Sequence, residues 1–198
     1  MKDIEVIGGD LDYGKIEILP YVYDRTKSIF YHHNLIEQFC SSLEFSKATW
    51  HFRSALSEFK SIFDVLAYDL RKLQLDKIWQ SSQVSQNLEK DVLIKVLKKT
   101  RDLAIHTAYI KGDKRRFCFT VLDGSGERYR SDERIFIDPI NRYHCKRDGS
   151  GKKSTSLTNE EIEWFDRQTH FWPAHLIIEE ALFCTCVELI NFLTVNQK

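Results

Sequence analysis

The sequence predicts a mainly α-helical fold: an up-down bundle of four to five helices, with a small N-terminal β-hairpin and a second β-hairpin inserted before the last helices. Three observations lead there. Phe52, Leu56, Phe59, Phe63, Leu66, Leu70 and Leu73 recur at spacings of 4-3-4-3-4-3, a seam over three heptads that requires a long partner helix. Residues 173–195 are apolar nearly all round, as in a helix enclosed by its own bundle or by a subunit interface. Pro and Gly number only 3 and 8 in 198 residues, too few for a turn-rich sandwich or a disordered chain.

Taken in order, "DIEVIGG" at 3–9 and "GKIEILPYVY" at 14–23 alternate apolar and polar residues around a Gly/Asp-rich connection, so residues 1–25 read as an N-terminal β-hairpin. Residues 26–110 read as helices 1–3. The first spans about 26–43, with Ile29, Ile36, Cys40 and Leu43 on one face. The second carries the heptad seam. "SSQVSQ" at 81–86 is a polar break, after which a third helix runs to Ile110 with Leu93, Val96, Leu97, Leu103 and Ala104 inward. Gly112 is placed to end it.

Residues 113–145 read as a hairpin insertion turning at "DGSG", and residues 146–156, "KRDGSGKKSTS", as a polar loop. Residues 158–196 form the C-terminal helices. Thr158 or Asn159 caps the first of these, with acids in its first turn. Trp172-Pro173 breaks it, and Pro173 suits the first turn of the next. With no internal repeat or long linker, residues 1–198 read as a single domain.

Lys+Arg and Asp+Glu both number 29, so the net charge is zero, which excludes a generic high-affinity nucleic-acid binder. The charge is unevenly spread. Residues 90–116 hold nine basic and three acidic side chains, and residues 158–198 hold two basic and seven acidic ones. No 18-residue apolar run predicts a membrane span, and the first residues carry acids where a signal peptide has an apolar core. Five cysteines without paired spacing point to reduced thiols and a cytoplasmic protein. Cys184 and Cys186, CxC in an apolar helix, suggest burial rather than metal binding.

Several motifs fall away. "GSGKKS" fails as a phosphate loop, because Lys146 stands where the first Gly belongs and Lys153 where Ser or Thr would bind magnesium. His33 and Glu37 are i, i+4 neighbours, but no second cluster completes a metal shell, and "YHHN" reads as a surface helix start. His144-Cys145 lacks partners nearby in sequence. There is no GxSxG, HExxH or glycine-rich dinucleotide turn, and neither a cofactor nor a metal is expected.

The remaining motif is "RDLAIH", Arg101 to His106, on the third helix within the basic stretch. Arg101-Asp102-Leu103-Ala104-Ile105-His106 resembles the R-x4-6-H motif of the HEPN superfamily, in which a polar residue often follows the Arg, here Asp102. The long second helix, "WHFRSALSEFKSIFDVLAYDL", also resembles that of uncharacterised bacterial HEPN proteins. The resemblance covers roughly residues 26–195. It implies an all-α bundle and a metal-independent endoribonuclease of a toxin–antitoxin or phage-defence system. Arg101, His106 and Asp102 would be catalytic, in a site made by a homodimer acting on RNA. It also implies the alternative of a non-catalytic dimeric scaffold, and an antitoxin or nucleotidyltransferase-like protein as partner. A second spacing of this type, Arg25 to His32, precedes the bundle core and reads as incidental. Residues five apart on a helix stand ~140° apart around its axis, so Arg101 and His106 flank a groove rather than share a stripe.

Overall fold

The computed structural model describes residues 11–106, 112–123, 126–140 and 157–196. Among these the chain is mainly helical, with one two-stranded antiparallel sheet. A 3₁₀ turn, Tyr13–Ile16, leads into α1 (Pro20–Ser41) and α2 (Phe45–Lys72). Two short helices, α3 (Asp76–Ser81) and α4 (Gln83–Lys90), precede α5 (Val92–His106). The strands β1 (Gly112–Asp123) and β2 (Gly126–Ile137) follow, then α6 (Asn159–Phe171) and α7 (Ala174–Asn196).

The expected N-terminal β-hairpin over residues 1–25 is corrected. Its first strand lies outside the described residues, and its second, residues 14–23, is the 3₁₀ turn and the first turn of α1. The period-2 reading missed a competing pattern. Ile16, Leu19, Val22, Thr26 and Ile29 fall at helical spacings and are all buried. Pro20 fits the first helical turn because the N–H it lacks has no intrahelical partner there. The next two N–H groups, of Tyr21 and Val22, donate to the Asp69 carboxylate on α2, each at 3.0 Å. The first helix therefore starts at residue 20, not 26.

A three-residue connection makes α1 and α2 antiparallel neighbours. Both helices end in the same hydrogen-bonded pattern: Glu44 N–H to Phe39 carbonyl and Leu43 N–H to Cys40 carbonyl after α1, then Leu75 to Leu70 and Gln74 to Arg71 after α2. This ending needs a left-handed residue, usually Gly. Here the residues are Leu43, at φ 63°, and Gln74, at φ 59°. Leu43 is therefore exposed, not on the buried face expected of it.

The heptad seam on α2 is present but rotated. Ala48, Phe52, Ala55, Phe59, Ile62, Leu66 and Asp69 form the buried 4-3 stripe, with Leu56 and Leu70 buried beside it. Phe63 and Leu73, expected in the seam, are only partly buried. The rotation follows from two-sided packing, with α1 along one flank of α2 and α5 along another. Phe63 sits at the second flank, where the Lys98 ammonium lies 4.3 Å above its ring.

The single third helix expected from residue 86 to 110 is also corrected. Ser82 caps α4 by accepting the Ser85 N–H at 3.1 Å, and Asp91 caps α5 by accepting the Ile94 N–H at 3.0 Å. These two side chains punctuate the backbone where an uninterrupted apolar pattern suggested continuity. Leu93, Ile94, Val96, Leu97 and Thr100 are buried on α5, while residues 107–110 lie outside the described residues.

In the hairpin, Gly112 pairs with Ile137 and Asp123 with Gly126. Gly112 thus opens a strand. Along β1, Arg115, Phe117 and Phe119 turn inward and their neighbours outward, the strand period of two. Only the base of β2, Ile135 to Ile137, is buried in the bundle, while residues 128–132 are exposed. The expected segments 141–145 and 146–156 lie outside the described residues. Thr158 and Glu161 cap α6 reciprocally. The Pro173 carbonyl accepts the N–H groups of Leu176 and Ile177 at the start of α7. Most apolar residues of α7, among them Ala174, Ile177, Ile178, Ala181, Leu182, Leu189, Ile190, Phe192 and Leu193, are buried within the same chain, while Leu176, Phe183 and Val187 are only partly buried. No helix among the described residues is long and apolar enough to cross a membrane.

Candidate functional site

Arg101, Asp102 and His106 all fall on the last part of α5 as described. Arg101 is half-buried and engaged with its surroundings rather than free in solvent. The side chains of Asp102 and His106 lie outside the described residues.

Part of the basic stretch around them is matched within the chain. Lys95 pairs with Glu161 on α6 at 2.6 Å. Lys98 is drawn over Phe63, and burial lowers its pKa. Lys114 pairs with Glu133 at 2.6 Å, and Arg115 with Asp113 at 3.0 Å and the His170 carbonyl at 3.2 Å. Arg25 and His32 serve separate contacts: Arg25 pairs with Glu58 at 2.9 Å, and the His32 and His51 Nδ1 atoms are 2.9 Å apart.

A second concentration of titratable groups lies between α1 and α7. His33 Nε2 is 3.3 Å from Glu179, His175 Nε2 is 3.7 Å from Glu37, and the two imidazole rings are 5.3 Å apart. Each helix contributes His-x3-Glu, and because the helices run antiparallel the two copies meet head to tail. "YHHN" is thus the middle of α1, not a surface helix start. Burial opposes charge on His33, but the Glu179 carboxylate more than offsets it and raises its pKa. His175 is 3% exposed; burial, together with His33 and Arg134, lowers its pKa to about 3, so it is neutral and its contact with Glu37 is not an ion pair. The repeated His-x3-Glu spacing was the available sequence signal. What sequence reasoning lacked was the pairing of α1 with α7, more than a hundred residues apart. Among the described residues no group of three or more His, Cys, Asp or Glu side chains is arranged to hold a metal.

Beside this ladder opens a cavity of about 290 Å³, lined by Glu37, Phe117, Phe119, Arg134, Trp172, His175 and Leu176. Arg134 Nη2 pairs with Asp132 at 3.1 Å, while Nη1 is buried with no hydrogen-bond partner among the described residues. Cysteine chemistry is not available from α7: burial pushes the Cys186 thiol up to about 12, and burial with Glu180 does the same to Cys184. The four described cysteines are free thiols.

No family model, no curated protein and no solved structure matches this chain.

Proposed function

We propose that the chain is a HEPN-like, metal-independent endoribonuclease in which Arg101 and His106 are the working pair, Asp102 orients or restrains Arg101, and a homodimer completes the site. The observation that carries this reading is the helical placement of the motif. Arg101, Asp102 and His106 follow the buried segment Leu93–Thr100 on the same helix, α5, so a rigid element sets their spacing.

The chemistry follows from the side chains. RNA supplies its own nucleophile, the 2′-hydroxyl. Histidine takes a proton from that oxygen or returns one to the leaving 5′-oxygen near neutral pH. Arginine keeps its charge and offers a planar fork to the phosphate oxygens as negative charge grows on them. Most of the apolar surface of α7 is used within the chain, with Phe183 and Val187 partly exposed, so a two-fold interface would be built mainly around the end of α5.

The test is cleavage of RNA by the purified protein, with and without EDTA. His106→Ala and Arg101→Ala are each expected to lower the rate by ~10²–10⁴. EDTA is expected to change nothing. Full cleavage by a folded His106→Ala protein overturns the assignment, and strong inhibition by EDTA points to metal chemistry instead. Sedimentation at micromolar concentration tests the dimer.

One observation favours a non-catalytic HEPN-like dimeric scaffold as the second reading. Lys95 and Lys98 turn into the protein, which leaves less positive surface for an RNA backbone. In that case an antitoxin or nucleotidyltransferase-like protein is the partner, and it binds wild type and His106→Ala alike.

A further inference from the structure

We propose that the cavity at the junction of α1, α7 and the hairpin binds a guanine-type base: a flat, neutral heteroaromatic ring with N–H donors beside a carbonyl acceptor. Its walls suit a flat ring. Phe117 and Phe119 stack with centroids 5.6 Å apart and planes 20° from parallel, and Trp172 lies 6.3 Å from Phe117. Aromatic faces of this kind hold nucleobases by stacking. At about 290 Å³ the cavity is at the lower end for ligand pockets, large enough for one base and too small for a dinucleotide.

The polar groups narrow the choice. The Arg134 side chain is only 11% exposed, and its buried Nη1 lacks an acceptor among the described residues. The Arg134 side chain lines the cavity, and a ligand acceptor on a guanidinium so enclosed gains more than it would in water. Glu37 adds a carboxylate at the same cavity. An anionic ligand would meet the carboxylates of Glu37 and Asp132 against the single charge of Arg134. A cation would meet the guanidinium. A neutral ring offering both donors and an acceptor satisfies both sides.

Guanine has that arrangement. Its N1–H and N2 amino group donate side by side to a carboxylate, and O6 and N7 accept from arginine. Adenine has no carbonyl for Arg134. Uracil has one N–H between two carbonyls, which a carboxylate repels. The assignment uses none of the residues of the Arg101–His106 reading, and it is tested by binding rather than cleavage, so either stands or falls without the other.

The experiment is titration calorimetry on the full chain. One arm uses guanosine, adenosine and uridine as free ligands. The other uses short single-stranded oligouridylates carrying one internal G or one internal A. Guanosine is expected to bind at least ~10-fold more tightly than adenosine or uridine, and Glu37→Gln is expected to weaken it by about 10-fold while circular dichroism stays native. Phe119→Ala should weaken every base that stacks. Binding in the free-nucleoside arm assigns the site to a free guanine compound. Binding confined to the G-containing strand, and lost in Glu37→Gln, assigns it to guanine within RNA. No binding in either arm at millimolar ligand, equal binding of G and A, or a folded Glu37→Gln protein with unchanged affinity overturns the proposal.

Discussion

The Asp69 carboxylate near the end of α2 accepts the backbone N–H of Val22 at the start of α1, 3.0 Å away and 47 residues earlier in the chain. The same oxygen accepts the N–H of Tyr21. One side chain, 1% exposed, thus satisfies two donors and places negative charge at a helix N-terminus. Asp69→Ala is expected to cost about 2–4 kcal/mol in urea unfolding, because two donors lose their acceptor and at least one is buried. Asp69→Asn, which keeps an acceptor oxygen, is expected to cost clearly less. A loss below about 1 kcal/mol for Asp69→Ala would remove the cap from the account of why α1 begins at Pro20.

Leu43 stands where the backbone favours glycine. Leucine in the left-handed region costs roughly 1–2 kcal/mol, and at 63% exposure the side chain returns little by burial. Leu43→Gly is therefore expected to stabilise the protein by about 0.5–1 kcal/mol, after the extra chain entropy of glycine is subtracted. For a chain of this size that is a rise of roughly 1–4 °C in Tm. A lower Tm for this variant would contradict the helix ending described here.

The rotated seam on α2 separates two adjacent residues. Ile62 is fully buried and Phe63 only partly so. Ile62→Ala is expected to cost about 2–5 kcal/mol. Phe63→Ala, despite removing a larger side chain, is expected to cost less than full burial would imply, and to restore the Lys98 pKa towards its ordinary value. Equal unfolding midpoints for Ile62→Ala and wild type would refute this register.

His175 and His33 make opposite contributions to stability against pH. The folded-state pKa of His175 is depressed from 6.5 to about 3, so the unfolded chain binds its proton first as pH falls. Its contribution is complete above pH 6.5 and is lost as pH falls towards 3, by up to roughly 1.4 kcal/mol per pH unit. His32 and His51, also lowered by burial, act in the same direction. The pKa of His33 is raised, so its pairing with Glu179 stabilises at low pH and fades as pH rises through that value. Urea midpoints between pH 4 and 7 are expected to fall on acidification, and more shallowly in a folded His175→Gln protein. An unchanged slope in that variant would exclude His175 as the main source.

Arg25 and His32 share the R-x4-6-H spacing and lie on the α1–α2 face, where Arg25 pairs with Glu58, whose carboxylate also acts on His32, and His32 meets His51. In a ribonuclease assay Arg25→Ala and His32→Ala are expected to retain wild-type rates. Loss in His32→Ala equal to that in His106→Ala would move the site to the α1–α2 face.

The legible parts of the fold were those whose pattern had one solution. The burial of Phe52, Phe59, Leu66 and Leu70, a cap at Thr158 or Asn159, and the largely apolar α7 follow from spacing and side-chain chemistry within a single element. The failures came where two periods fitted the same letters or where the deciding group was remote. Ile16, Leu19 and Val22 satisfy both a strand alternation and a helical stripe, and the tie is broken by Asp69 on another helix. In the sequence Asp91 is one more polar residue of a continuous helical pattern, whereas in the structure its carboxylate accepts the Ile94 N–H and starts a new helix. On α5 the helical placement of Arg101 was readable, whereas the use of Lys95 and Lys98 inside the chain was not, because Glu161 and Phe63 come from other elements. The His33–Glu37 spacing is visible in the sequence, but its repeat at His175–Glu179 is not connected to it, since nothing local says that two distant helices pack antiparallel.

The hairpin has a mechanical consequence. Each strand is 12 residues, a ribbon of about 40 Å at the usual rise per residue. It is seated over its lower part, through Ile135, Phe136 and Ile137 on β2, which packs against α1 and α7, and through Arg115, Phe117 and Phe119 on β1, which lie against His170 and Trp172. Such a ribbon is a cantilever. A load applied near exposed Tyr129 acts through the free end of the arm, and its moment is borne by that seat, beside the two helices that carry the His–Glu ladder.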